Sequence, residues 1–388
     1  MPVAQSDSVG QFDSYDHITW YVSNALQASE FYVSKLGFEH VAYRGLETGS
    51  PNICSRAVRS NGITMVFTSA LRAEATIPAD AALVKDIHSH ISSHGDGVKD
   101  VALCVDDVTS VYLAAIKGGA ESVQPPTKFS DEFGYIVVAS LKAFGDTSHT
   151  LIDRSHYSGP FFPGYRAVPR SDALDLDKIL GKVNLLSIDH CVANQSWNML
   201  ETTCEFYEKV FGFHRFWSPD DDIICTEFSA LNSVVMASAN SKVKMPVNEP
   251  AKGLRTSQVE EFVTFYNGCG VQHIALSTVN IIESIRAMKA RGVSFIKTPA
   301  SYYRQLEQRL AGSKVQVKED IRELEKLDIL LDFDENGYLL QLFTKPLLDR
   351  PTVFFEIIQR ENFEGFGAGN FKALFESIER DQEARGTL

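Results

Sequence analysis

The chain has 388 residues with a formal net charge of −13, and 44% of them are hydrophobic, which allows two domains and excludes disorder over most of the length. The basic residues form no stripe, so neither nucleic acid nor anionic lipid is an expected partner. No apolar run reaches the roughly 18 residues of a membrane helix and the start lacks the regions of a signal peptide, so we expect a cytoplasmic protein without membrane association.

Two halves of the chain resemble each other at an offset of about 175 residues. Near the start, SYDHITWYVSN and FYVSKLGF correspond to SIDHCVANQS and FYEKVFGF further on. A second pair of segments, offset by 173 residues, comprises VALCVDDVTSVYLAAIKGGAESV and IALSTVNIIESIRAMKARGVSF. Repeats of this length indicate duplicated structural modules.

Every copy has the same local pattern, which occurs twice in each half. An apolar strand-like segment is followed by a polar break, a helix of about three turns and further strand-like segments. A glycine follows each predicted helix, where a left-handed residue closes the last turn; these glycines are Gly37, Gly119, Gly212 and Gly292. The pattern predicts four modules that mix helix and strand.

Two segments interrupt the repeat. The stretch SHYSGPFFPGYRAVPRSDALDLDKILGK contains three prolines and little periodicity, so it is interpreted as the connector between a domain of residues 1–160 and a domain of residues 161–388. Residues 301–328 are charged, mostly helical in pattern and without a counterpart in the first half. We therefore predict a helical insertion there.

Three polar residues in apolar, strand-like segments are separated by two intervals of 83 residues: His190, His273 and Glu356. Two imidazoles and one carboxylate on one side of a metal leave positions open for a chelating substrate and dioxygen, which suits a divalent iron. The residue types and their spacing therefore indicate an iron site. The alternative is three unrelated polar residues.

The strands around this set also predict a pocket. Side chains two apart in a strand share a face, so Phe354 and Ile358 are expected beside Glu356. By the same rule Gln341 and Phe343 share a face of the neighbouring strand. An apolar pocket with a few amides is a common site for a small aromatic ligand.

The first half keeps only part of this set. The aligned pairs are His17 with His190, Asp100 with His273 and Asp153 with Glu356. One histidine with two carboxylates can still hold a metal. We interpret the first set instead as a buried remnant without metal, because single metal-like residues are usually structural.

A separate group of histidines lies in DIHSHISSHGDG and comprises His88, His90 and His94. Its spacing resembles a zinc site. The surrounding serine, glycine and aspartate residues indicate a loop, and no acidic or cysteine partner is near in sequence. We interpret the group as solvated surface.

The tail of the chain predicts an amphipathic helix after a glycine-rich stretch. Its apolar face is formed by Phe371, Leu374, Phe375 and Ile378. The helix begins about fifteen residues after Glu356, so it is placed to lie over the pocket as a lid. An ordinary packed terminal helix is the alternative.

The chain resembles the 4-hydroxyphenylpyruvate dioxygenase family over nearly its whole length, from about residue 14 to 386. The resemblance is carried by YRGLETGS, HGDGVKD, KMPVNEP, GVQHIAL, GYLLQLFTKP, DRPTVFFEIIQR and GFGAGNF. It implies an α+β fold of two domains, each with two βαβββ modules of the vicinal oxygen chelate type that form an open, barrel-like sheet. It also implies one Fe(II) per chain, in the C-terminal domain alone, and a C-terminal lid helix.

The resemblance assigns roles to individual residues. The implied iron ligands are His190, His273 and Glu356, in agreement with their spacing. The implied catalytic polar residues are Ser233, Asn248, Gln258 and Gln341. The implied substrate-binding residues are Gln272, Phe343, Phe354, Phe366, Asn370 and Phe371. Strand alternation points Gln272 away from His273 unless the strand bulges there.

The implied reaction converts 4-hydroxyphenylpyruvate and dioxygen into homogentisate and carbon dioxide, a step in the catabolism of tyrosine and phenylalanine. The 2-oxo acid group of the substrate chelates Fe(II) in this reaction. The resemblance further implies a homo-oligomer, a homodimer or a tetramer.

Three alternatives stay open at this stage. A hydroxymandelate synthase uses the same substrate and metal but oxidises the benzylic carbon; it carries a smaller aliphatic residue where the dioxygenase has a phenylalanine, which favours the dioxygenase here. A metal-free binding module can be built from the same modules. An extradiol ring-cleaving enzyme shares the ligand set but not the tail or the GYLLQLFTKP segment.

Overall fold

The computed structural model describes residues 10–169, 175–217, 223–225 and 229–388. Within these ranges the chain forms two curled sheets, one from each half, with helices packed against them. The predicted α+β class is confirmed. No helix in these ranges is long and apolar enough to cross a membrane.

The first half forms a sheet with the strand order β6-β7-β8-β5-β1-β4-β3-β2-β9. Its strands are β1 (Phe12–Tyr21), β2 (Glu39–Arg44), β3 (Ile53–Ser60), β4 (Ile63–Ala70), β5 (Gly97–Val105), β6 (Ser122–Asp131), β7 (Gly134–Phe144), β8 (Thr147–Asp153) and β9 (Arg166–Ala167). Its helices are α1 (Ala25–Leu36), α2 (Ala81–His94) and α3 (Val108–Lys117), with 3-10 turns at Leu46–Thr48 and Pro78–Asp80.

The second half forms a sheet with the order β11-β13-β14-β10-β15-β18-β17-β16, and β12 pairs with β13. Its strands are β10 (Leu185–Asn194), β11 (His214–Trp217), β12 (Ile223–Cys225), β13 (Ala230–Ala237), β14 (Lys244–Ala251), β15 (Gly270–Thr278), β16 (Leu330–Phe333), β17 (Tyr338–Phe343) and β18 (Phe354–Glu361). Its helices are α4 (Leu176–Leu180), α5 (Leu200–Phe211), α6 (Gln258–Tyr266), α7 (Ile281–Ala290), α8 (Ala300–Ala311), α9 (Ile321–Leu327) and α10 (Phe371–Arg385), and Ala368–Asn370 is a 3-10 turn.

The elements repeat as predicted. Each module begins with a strand and a helix, and its last strand pairs in parallel with its first, as β4 does with β1 and β18 with β15. The first strands of the two modules in a half lie side by side and antiparallel, β1 with β5 and β10 with β15. The predicted insertion at residues 301–328 contains α8 and α9, between the helix and the remaining strands of the fourth module.

Local sequence explains where the module helices begin and end. Three of them begin at an Asn or Asp whose side chain accepts a hydrogen bond from the backbone N–H three residues on, namely Asn24, Asp107 and Asn280. Helices α1 and α5 end at Gly37 and Gly212, which have φ of 71° and 64°. Glycine adopts this left-handed conformation without the steric cost that a Cβ brings.

The two halves share one hydrophobic core and several polar contacts. The Tyr15 hydroxyl donates to the backbone carbonyl of Lys244 at 2.5 Å, and the Gly62 N–H donates to the carbonyl of Leu186 at 2.8 Å. Strand β9 joins the first sheet through Ala167, so that sheet extends past residue 160. The division into domains at residue 160 stays a prediction, and residues 170–174 of the predicted connector lie outside the described ranges.

The interpretation of the histidine group in DIHSHISSHGDG as a solvated loop was wrong. The segment lies in α2, and His90 and His94 are buried while His88 is exposed. Ile87 of the same helix is fully buried in a small apolar cluster, which holds this face of α2 against the sheet. An acidic partner is present as well, because Asp146 reaches the pair from the turn between β7 and β8.

Candidate active site

The three predicted metal ligands converge on adjacent strands of the second sheet. His190 lies on β10, His273 on β15 and Glu356 on β18. The distances to Oε2 of Glu356 are 3.2 Å from Nε2 of His190 and 3.6 Å from Nε2 of His273. One ligand atom from each residue lies within 4.8 Å of the other two. The structure therefore brings together residues that are 166 positions apart in sequence.

The donor atoms fit a metal ion. Two imidazole nitrogens and a carboxylate oxygen that face one another in a buried site are a donor set that a divalent cation accepts. His190 and Glu356 are each 3% exposed. Burial and the neighbouring His190 lower the pKa of His273 well below its usual value, so this imidazole is neutral and its lone pair is available.

Neighbouring polar groups orient His190. Its Nδ1 donates to Asp189 at 2.7 Å, which leaves Nε2 directed at Glu356. Arg360 in turn holds both oxygens of Asp189 at 2.8 and 2.9 Å. Burial alone would raise the pKa of Asp189, but His190 and Arg360 outweigh burial and hold that pKa well below its usual range.

A β-bulge explains how Gln272 and His273, which are consecutive, both face the pocket. His273 pairs with Val192 and Val271 pairs with Ala193, so Gln272 is an extra residue without a partner on β10. Its Oε1 lies 3.0 Å from Nδ1 of His273. The strand therefore bulges at Gln272, which is the condition under which the sequence allowed Gln272 to face the pocket.

A chain of hydrogen bonds supports Glu356 from behind. Nε2 of Gln341 donates to Oε1 of Glu356 at 3.1 Å, and Oε1 of Gln341 accepts from Asn370 at 2.9 Å. The Tyr302 hydroxyl lies 2.6 Å from Oδ1 of Asn370. Neither the sequence pattern nor the resemblance indicated Tyr302, because it lies in the inserted helix α8.

The ligands open onto a cavity whose lining is mostly apolar. Every predicted site residue except Asn370 lines it: His190, His273, Glu356, Ser233, Asn248, Gln258, Gln272, Gln341, Phe343, Phe354, Phe366 and Phe371. Asn370 is buried behind Gln341. The sequence analysis did not name Val192, Leu231, Val235 and Pro246, which also line the cavity. Each lies two residues along a strand from a predicted site residue, so alternation could have identified them.

Helix α10 covers one side of the cavity, where Phe371, Leu374 and Phe375 contribute to the lining. Glu379 accepts a hydrogen bond from the Ser229 hydroxyl at 2.6 Å, and Arg385 donates to Glu261 on α6. The helix therefore lies over the pocket as expected. Whether it opens as a lid stays a prediction.

The first sheet has a different set of residues at the positions equivalent to the three candidate ligands. The cross-strand neighbours are His17, Ala102 and Thr150 in the first sheet and His190, Ala275 and Glu356 in the second. Thr150 therefore occupies the position of Glu356, and the predicted alignment of Asp153 with Glu356 was wrong.

In the first sheet, neighbouring side chains pack against His17 and Asp100, the residues equivalent to His190 and His273. The rings of Phe161 and Phe162 lie edge-on to His17 at 5.0 and 5.6 Å. Asp100 accepts hydrogen bonds from the hydroxyls of Ser148 and Thr150 at 2.6 and 2.9 Å. These contacts support the interpretation of a structural remnant.

The fold and the site define an enzyme class. Residues 187–342 match the family model described as Glyoxalase/Bleomycin resistance protein/Dioxygenase superfamily. A solved structure of a mutant 4-hydroxymandelate synthase from Streptomyces coelicolor aligns with a TM-score of 0.79 and 30% identity, covering 96% of this chain and 99% of that chain. The chain is thus an enzyme of the vicinal oxygen chelate type.

Curated relatives narrow the class to a family. The chain is 58% identical over 388 residues to the 4-hydroxyphenylpyruvate dioxygenase of Coccidioides posadasii, with 99% of this chain and 97% of that protein covered. It is 50% identical to the protein of that name from Dictyostelium discoideum, with 97% and 100% covered. The chain belongs to the 4-hydroxyphenylpyruvate dioxygenase family, and the predicted family and enzyme class are confirmed.

Proposed function

We propose that the chain converts 4-hydroxyphenylpyruvate and dioxygen into homogentisate and carbon dioxide, with one Fe(II) held by His190, His273 and Glu356. The convergence of these three side chains on one face of an aromatic cavity carries the proposal. When bound, the ion supplies coordination positions for the 2-oxo acid group and for dioxygen. Glu356 contributes the anionic ligand, and Gln341 fixes the orientation of its carboxylate.

The aromatic side chains hold the substrate ring next to the ligands. Phe354 stacks on His273 with ring centroids 4.9 Å apart, and Phe343 lies edge-on to the same histidine at 6.1 Å. Phe366 contacts the ring of His190 at 5.1 Å. A planar aromatic substrate fits among such rings, and the apolar walls exclude water from reactive species.

The polar side chains of the cavity fix the far end of the substrate. Ser233 and Asn248 face each other across β13 and β14, and Gln258 begins α6 on another side of the cavity. These groups are placed to hydrogen-bond a phenol hydroxyl. Fixing that end decides which ring carbon lies nearest to the oxidant.

The alternative product is hydroxymandelate, from the same substrate. The higher identity to named dioxygenases, 50–58% against 30% for the solved synthase mutant, favours homogentisate. Chromatography of the product formed by purified protein with Fe(II) distinguishes the two. The metal-free binding module predicts no oxygen uptake with 4-hydroxyphenylpyruvate at all.

The ligand assignment has its own test. Glu356→Ala removes the anionic ligand, and bound iron after reconstitution and desalting is expected to fall from one ion per chain to near zero. Asp153→Ala, which removes an acidic residue of the first sheet, is the matched control and should retain iron. Full iron in Glu356→Ala contradicts the assignment. Asn248→Ala should retain iron but lower turnover or change the product distribution.

We further propose that the protein is cytoplasmic and that it forms a homodimer or a tetramer. Both statements rest on the sequence analysis. Sedimentation velocity on the purified protein tests the assembly state. A monomer at micromolar concentration contradicts it.

A further inference from the structure

A second group of two imidazoles and one carboxylate lies outside the catalytic cavity, on elements of the first half of the chain. His90 and His94 belong to α2, and Asp146 lies in the turn between β7 and β8. Oδ2 of Asp146 is 2.8 Å from Nδ1 of His90 and 3.3 Å from Nε2 of His94. One atom from each residue lies within 4.8 Å of the other two, as in the catalytic set.

The positions of the two histidines suit a metal ion. Residues four apart on a helix project from the same face, and helical histidines with this spacing bind zinc in other proteins. The corresponding distances in the catalytic set, 3.2 and 3.6 Å, are similar. Asp146 comes from a separate element, so the three donors surround a point instead of lying in a row.

The hydrogen bonds of His94 leave a donor atom for a cation. Its Nδ1 lies 2.5 Å from the backbone carbonyl of Tyr266, which can only accept, so Nδ1 carries a proton. Nε2 of His94 faces Oδ2 of Asp146 at 3.3 Å. Without an ion, a proton on Nε2 can bridge these two atoms, and a divalent cation that displaces this proton is bound by the same lone pair.

Two further atoms of the group are incompletely bonded. Nε2 of His90 and Oδ1 of Asp146 are buried without a hydrogen-bond partner in the part of the chain that the structure describes. Both atoms are available to a bound ion or an ordered water. Oδ1 of Asp146 adds a second oxygen from which a cation can be bound.

A lysine next to the group has another partner available. Nζ of Lys99 lies 3.6 Å from Oδ2 of Asp146 and 3.3 Å from Oδ2 of Asp86. A divalent ion would repel the ammonium, and Lys99 can turn fully to Asp86. Asp146, Asp86 and Lys99 together keep a net charge of −1 with neutral histidines, which favours a divalent cation.

We propose that His90, His94 and Asp146 form a second divalent-metal site, suited to Zn²⁺, which links α2 and the β7–β8 turn to the C-terminal end of α6. Two imidazoles and a carboxylate with one open position for water are a ligand set that zinc accepts. The link to α6 runs through His94 and the carbonyl of Tyr266, and the ring of His94 stacks on that of Tyr266 at 4.4 Å. The other end of α6 is Gln258, which lines the catalytic cavity.

Metal analysis of the full-length protein tests the site without an activity readout. Fe(II)-loaded protein is incubated anaerobically with Zn²⁺ and desalted, and iron and zinc are counted per chain. The sum is used because zinc can replace iron in the catalytic site. We expect two ions per chain in the wild type and one in His94→Gln and Asp146→Asn.

His88→Gln is the matched control, because His88 lies on the same helix but is exposed and outside the group. It should retain two ions. The zinc-edge X-ray absorption spectrum of the wild type should contain an imidazole contribution that is smaller in His94→Gln. Circular dichroism ensures that each variant is folded. A wild-type sum of one ion, or a sum that His94→Gln leaves unchanged, overturns the proposal and identifies the group as a hydrogen-bonded network.

Discussion

Gln341 donates a hydrogen bond from its side-chain amide to Oε1 of Glu356 at 3.1 Å, while its own carbonyl oxygen accepts from Asn370 at 2.9 Å. Glu356 is therefore connected to the 3-10 turn that precedes α10. Tyr302 extends the connection to α8, because its hydroxyl bonds Asn370 and receives the N–H of Leu331. The orientation of Glu356 thus depends on the insertion and on the tail, as well as on its own strand.

Tyr302→Phe tests this connection. Without this hydroxyl Glu356 is held less firmly, and we expect the activation free energy to rise by about 1 kcal/mol. This corresponds to roughly a fivefold fall in kcat/KM. Iron affinity should fall as well. Steady-state kinetics and an iron titration measure the two effects.

Tyr303→Phe is the control for that variant. Tyr303 is the next residue of the same helix and is also buried, and its hydroxyl bonds the backbone carbonyl of Ile329 at 3.0 Å, outside the network. We expect a similar loss of stability but unchanged kcat/KM. Equal kinetics in the two variants would show that Tyr302 acts only through stability.

Arg360→Gln tests the ion pair that orients His190. Without the guanidinium, Asp189 loses its bidentate partner and holds His190 less firmly, so iron affinity should fall roughly 10- to 100-fold. Arg154 holds Asp16 in the same way in the first sheet, with both bonds at 2.6 Å. Arg154→Gln should therefore lower the melting temperature and leave iron binding unchanged; weaker iron binding in both variants contradicts the assignment.

Gly367→Ala is expected to disturb the same network by steric contact. Gly367 has φ of 78°, and an added Cβ would lie 1.9 Å from Oε1 of Gln341. Gly386, at the other end of α10, has a similar φ of 74°, and no described atom lies within 4 Å of an added Cβ. Both alanine substitutions should lower the free energy of unfolding by roughly 1–2 kcal/mol, because a residue with a Cβ is strained in the left-handed conformation. Only Gly367→Ala should also lower kcat/KM, and a loss of kcat/KM in Gly386→Ala would refute the steric explanation.

His149 gives a prediction for the pH dependence of stability. It is fully buried between the halves, where Nδ1 donates to the Val101 carbonyl and Nε2 accepts from the Tyr207 hydroxyl. Burial lowers its pKa from 6.5 to about 4. The unfolded chain therefore binds the proton first as the pH falls, so stability is lost between pH 6.5 and pH 4.

The loss at pH 5 relative to pH 6.5 should be about 1.6 kcal/mol from this group. Urea unfolding of the wild type and of His149→Gln at the two pH values separates the contribution of His149 from that of other titrating groups. The variant should show a smaller pH dependence by that amount. An equal pH dependence in both proteins would mean that His149 does not titrate as described.

Some of the site could be predicted because it depends on local pattern. The alternation of apolar residues around His190, His273 and Glu356 indicates strands, and capping residues such as Asn24 and Gly37 mark where helices begin and end. The α+β modules follow from these signals and from the internal repeat. The resemblance to a family added the polar residues of the cavity, which no short pattern indicates.

Other features depend on which strands become neighbours. Alternation alone turns Gln272 away from His273, and only the pairing of β15 with β10 reveals the bulge that turns it back. An acidic residue in sequence, Asp153, matches Glu356 better than Thr150 does, but the strand register selects Thr150.

The modules and the strands that contain His190, His273 and Glu356 could be predicted, because they follow from the periodicity of one segment at a time. The contact of Asp146 with His90 and His94, and the hydrogen bond of Tyr302 in the network behind Glu356, depend on how distant segments pack. The reason is physical: hydrogen bonds and ion contacts act over a few ångströms, and the distances between residues far apart in the chain are set by how sheets and helices pack.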